Sequence, residues 1–139
     1  MKNIVVRHNT FSGTDTGLRF KSSEGRGGKT ERIFISDIYM NDIKDQAIVF
    51  ETTYFDNYVG AAPREQNTPK EPLFLPDFGD IHISRVVCRG TKTGIKASGV
   101  KGMVHDVTVE NSTFFYTNKS TDIGTDCDVK IVNVDFHTF

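Results

Sequence analysis

Arg19 and Lys21 stand two residues apart in the run Gly17-Leu-Arg-Phe-Lys21. In an extended strand alternate side chains share a face, so both cations project one way and Leu18 and Phe20 the other. Two neighbouring like charges on one sheet face cost free energy unless something anionic sits between them. Arginine offers a planar fork that grips a carboxylate with two hydrogen bonds, and lysine adds a point charge. The pair is suited to holding a carboxylated ligand. The plainer reading, a solvated strand face, stays open at this point.

The other reactive side chains are less organised. His8, His82, His105 and His137 are scattered, with no Cys or Ser at triad-like spacing. Thr14-Asp15 follows Gly13 and reads as a turn. The glycine-rich Glu24-Gly-Arg-Gly-Gly28 lacks the Lys-Ser/Thr and helix of a phosphate loop, and reads as a turn between coils. No Cys/His spacing suggests zinc, and no cofactor is expected. Cys88 is expected as a buried free thiol and Cys127 as a turn residue. A disulfide between them is not favoured, because its geometry is strict.

These side chains are carried by a repeat. Five copies of a nine-residue pattern occur: Asn3 to Phe11, Arg32 to Met40, Asp80 to Cys88, Asp106 to Phe114 and Asp128 to Phe136. Positions two and four are Ile or Val in every copy, which marks a short strand with one buried face. Position six is polar each time (His8, Asp37, Arg85, Asn111, Asn133) and breaks the alternation, as a bend would. Position nine is Phe, Met or Cys. A second short strand follows 14 or 15 residues later, at Gly17 to Lys21, Ala47 to Glu51, Gly94 to Ser98 and, more weakly, around Ile123.

The copies start at residues 3, 32, 80, 106 and 128. Recurrence at this period predicts an all-β solenoid, a right-handed parallel β-helix of about five coils. A leucine-rich repeat, the competing fold, would need Leu at fixed offsets. The longest step holds an insertion, predicted as an exposed loop at about residues 58–77 containing all four prolines.

With 139 residues the chain is expected to be one domain, residues 1–139. Its net charge of −1 and evenly spread charges suggest neither a nucleic-acid nor a membrane partner. No signal segment or spanning helix is visible, which leaves localisation undetermined. The first repeat begins at residue 3 without a capping element. That start suggests the C-terminal part of something longer, with an open first coil able to pair with a second copy as a homo-oligomer.

From Asn3 to Tyr54 the chain resembles the polygalacturonase family of glycoside hydrolases (family 28), pectin-degrading enzymes with a parallel β-helix fold. Gly17-Leu-Arg-Phe-Lys21 is similar to the family's R-I-K motif, with Phe20 in place of Ile. Gly25-Arg-Gly-Gly28 and Ile33 to Met40 support it, and Ala47 to Tyr54 resembles the strand carrying the family's active-site tyrosine. The resemblance implies that Arg19 and Lys21 bind the carboxylate of a galacturonate unit and that Tyr54 contacts the sugar, with Tyr58 as a nearby competitor. It implies galacturonan, or a related acidic polysaccharide, as partner, hydrolysis with inversion, and a periplasmic or extracellular setting. The family's catalytic carboxylates (an N-T-D motif and an Asp-Asp pair) and its G-H-G histidine lie upstream of R-I-K, and none occurs before Arg19 here. No catalytic residue is therefore expected in this chain, and by itself it is expected to be inactive. Two rivals are a polysaccharide lyase on the same fold, with Arg19 as base, and a non-catalytic carbohydrate-binding or structural module.

Overall fold

The computed structural model describes residues 2–21, 28–52, 76–99 and 102–139. Among the described residues seven strands run in chain order: β1 Lys2–Ser12, β2 Thr16–Lys21, β3 Gly28–Asn41, β4 Gln46–Glu51, β5 Pro76–Ser98, β6 Val104–Ile123 and β7 Val129–Thr138. There is no helix among the described residues, and every strand pairing is parallel. The long strands stack in the order β1, β3, β5, β6, β7. The short ones, β2 and β4, join the same curled sheet through the second half of β5. This is a parallel β-helix, as the repeat predicts.

The register follows the repeat residue for residue. Ile4, Ile33, Ile81, Val107 and Val129 form one row, and Val6, Ile35, Ile83, Val109 and Ile131 the next. Position nine gives a third row: Phe11, Met40, Cys88, Phe114, Phe136. In the middle coils these side chains are buried, whereas Ile4, Val6, Val129 and Ile131 are half-buried because their coils have a described neighbour on one side only. Apolar rows of this kind hold the coils together, since no coil can bury its own face alone. Cys88 is fully buried and Cys127 partly so, and both thiols are free. Burial pushes the Cys88 thiol up to about 12.

The bends have a specific conformation. All five position-six residues, and four of the five at position one (Asn3, Arg32, Asp80, Asp106), have φ between +51° and +59°. This left-handed region costs an L-residue about 1–2 kcal/mol and is least unfavourable for Asn and Asp. Where Arg occupies a corner, the stack supplies bonds that offset the cost. Arg85 grips Asp37 of the previous coil through Nε and Nη2, at 2.7 and 3.0 Å, and Arg32 Nε donates to Asn3 Oδ1 at 2.7 Å. Asn133 donates to Asn111 at 2.6 Å in the same column.

The turn at Thr14-Asp15 is the bend expected there, and it delivers the chain into β2. At Gly17 the coils approach so closely that a Cβ would lie 2.5 Å from the Ala47 carbonyl oxygen. Glycine is therefore required at the entry to the strand that bears Arg19. Most of the expected loop at residues 58–77 and most of the Glu24 to Gly28 turn lie outside the described residues. Pro76 and Asp77, at the loop's expected end, already pair with Gly28 and Lys29.

Candidate functional site

On β2, Leu18 and Phe20 point into the coil, where Phe20 stacks on Phe50 at a centroid distance of 4.6 Å. Arg19 and Lys21 consequently project from the outer face, and both are exposed. On the next coil Arg19 lies opposite Val49 and Lys21 opposite Glu51. The anion that two neighbouring cations call for is present in the protein itself. Arg19 Nε donates to Glu51 Oε1 at 2.7 Å, with both side chains partly open to solvent.

One coil further, Val49 pairs with Lys96 of β5. The outer face thus reads Arg19, Val49, Lys96 along one row, then Asp122 of β6. Val49, between the two cations in this row, is 1% exposed although it lies outside the main core cluster. Arg19 and Lys96 are two strand spacings apart along the axis, roughly 10 Å.

Sequence reasoning missed Glu51 and Lys96. Lys96 was findable: it holds the same place in Gly94-Ile-Lys-Ala-Ser98 as Arg19 does in Gly17-Leu-Arg-Phe-Lys21. Glu51 was not, because its pairing depends on the register between coils. Tyr54 and Tyr58 lie outside the described residues.

A second polar cluster forms at the position-one corner, away from this face. His105 bonds Asp106 through Nδ1 at 3.0 Å and Asp77 through Nε2 at 2.5 Å. The bonds to Asp106 and then Asp77 raise its pKa above the ordinary histidine value. His82 bonds Asp80 at 2.8 Å and stacks on Phe34 of the neighbouring coil. Among the described residues no set of three or more His, Cys, Asp or Glu is disposed to hold a metal ion.

Residues 1–70, which carry Arg19, Lys21 and Glu51, match the family model of Glycosyl hydrolases family 28. The chain belongs to that family. Endopolygalacturonase II from Aspergillus niger is 32% identical to it over 56 residues, 40% of this chain and 16% of the relative. The probable endopolygalacturonase II of Aspergillus kawachii and the endopolygalacturonase II of Aspergillus awamori match to the same extent. The match therefore covers well under a fifth of each relative's length. No solved structure matches the chain at a comparable level.

Proposed function

We propose that this chain contributes part of the galacturonan-binding surface of a polygalacturonase-like glycoside hydrolase. The observation that carries the reading is the cationic outer face of β2 at Arg19 and Lys21, within a segment of family 28. Arg19 has five N–H donors, of which Nε serves Glu51. In this reading the rest of the fork, with the Lys21 ammonium, binds the carboxylate of one galacturonate unit. Glu51 fixes the guanidinium in place. Tyr54 is proposed as a further sugar contact.

Inverting hydrolysis needs an acid and a base about 6.5–9.5 Å apart across the scissile bond. We place both in the part of the relatives' length that this chain does not span, so the isolated chain binds substrate without turning it over. The lyase alternative asks Arg19 to accept a proton. The Arg19–Glu51 bond, in which Nε donates, favours the binding role instead.

Calorimetric titration with oligogalacturonate tests the reading. Binding that weakens about fivefold or more on Arg19→Ala and with added salt is expected, with no new reducing ends. Equal affinity for neutral galactan, or an Arg19→Ala variant that binds as well as the parent, would remove its basis. Release of unsaturated, ultraviolet-absorbing sugar would point to the lyase.

A further inference from the structure

A second group of cations gathers at the corner between the two strand rows in the middle coils. The turn after β3, the middle of β5 and the middle of β6 border an open depression of about 440 Å³ there. Three basic side chains line it, Lys44, Arg89 and Lys92, against one acidic side chain, Asp42. Among the described residues none of the three cations has a carboxylate within ion-pair distance, whereas Arg19, Arg85 and Lys119 are paired. Unneutralised like charges gathered at one depression oppose folding and favour an anion between them.

The surroundings add selectivity. Phe139, 67% exposed, forms an apolar wall, and Arg89 lies over the Phe115 ring at 5.3 Å. Asn118 supplies an amide at the rim. An apolar wall, a few neutral hydrogen-bonding groups and an excess of positive charge together suit a carboxylated sugar rather than a bare anion or a neutral sugar.

We infer that this corner is a second subsite for a uronate unit, distinct from the one at Arg19 and Lys21. Lys92 is four residues before Lys96 on β5, so the chain between them spans at most about 13 Å. The backbone ties the two sites together: Lys44 N donates to Thr14 O at 3.0 Å, just before β2 begins. The inference rests on the proposed function only for the identity of the sugar. The corner's charge and shape are independent of Arg19.

Amide chemical-shift mapping of the whole chain with trigalacturonate tests this, with neutral galactotriose and acetate as controls. Shifts at Lys44, Thr91, Lys92 and Asn118 are expected with trigalacturonate alone. Lys44→Gln combined with Lys92→Gln should weaken them at least about threefold, and Arg19→Ala should leave them in place. Corner shifts without any at Arg19 or Lys21 would sustain this site and sink the first one. No corner shift at the highest soluble concentration overturns the inference, whatever happens on β2. So do equal shifts with galactotriose or acetate, because either would show that a carboxylated sugar is not what the corner recognises.

Discussion

Arg19 acquires its chemistry from a residue on the following coil. Taken alone, it and Lys21 are two like charges on one strand. With Glu51 bonded to Nε the guanidinium is held in one orientation, which lowers the entropy lost in the proposed binding of a second carboxylate. The alternation that exposes both cations was legible in the sequence, and the partner was not, because Arg19 and Glu51 are 32 residues apart. The same is true of His105, which reads as an isolated histidine until the stack brings Asp77 to it. Its pKa is raised in the folded protein, so its contribution to stability is complete below the ordinary value of 6.5 and is lost as pH rises through the folded value. Urea unfolding from about pH 5 to pH 9 should show a decline in stability that His105→Gln flattens. An unchanged slope in the variant would mean that the aspartates do not favour its charged form.

The single strand with its bend is the unit in which most of the fold was readable. Positions two, four and nine face inward, and the polar sixth position marks a turn, as the pattern implies. Four of the five position-one residues carry the same left-handed conformation, which was hidden because a polar residue before a strand fits any ordinary turn. These corners make a specific prediction. Asn111→Val should destabilise by about 1–2 kcal/mol through backbone strain, with a further loss from the Asn133 bond. Asn111→Gly loses that bond but not the conformation, so denaturant unfolding should find it the milder change. Equal losses for Val and Gly would remove the strain argument. At Asp37 the Arg85 hydrogen bond holds the carboxyl at about 2, below its usual 3.8. That stabilising contribution is present above 3.8 and disappears as pH falls towards about 2.

At the scale of the molecule, stability is a sum of neighbouring coil contacts, so the effect of a core change depends on where in the stack it falls. Ile83→Ala, in a fully buried row of the middle coils, should cost about 2–5 kcal/mol in chemical unfolding. Ile4→Ala, half-buried in the first described coil, should cost clearly less; similar losses would contradict a graded stack. The repeat made this architecture legible because each copy repeats the same inward positions. The run from Arg19 through Val49 to Lys96 was less so, since it exists only across coils. The proposed function has the outer face of β2 binding a uronate through Arg19 and Lys21. A crystal structure of the chain with oligogalacturonate measures it most directly. The account predicts a sugar carboxylate within hydrogen-bonding distance of the Arg19 guanidinium and the Lys21 ammonium, with Glu51 still on Nε. Sugar ordered elsewhere on the molecule while the β2 face stays empty would contradict it.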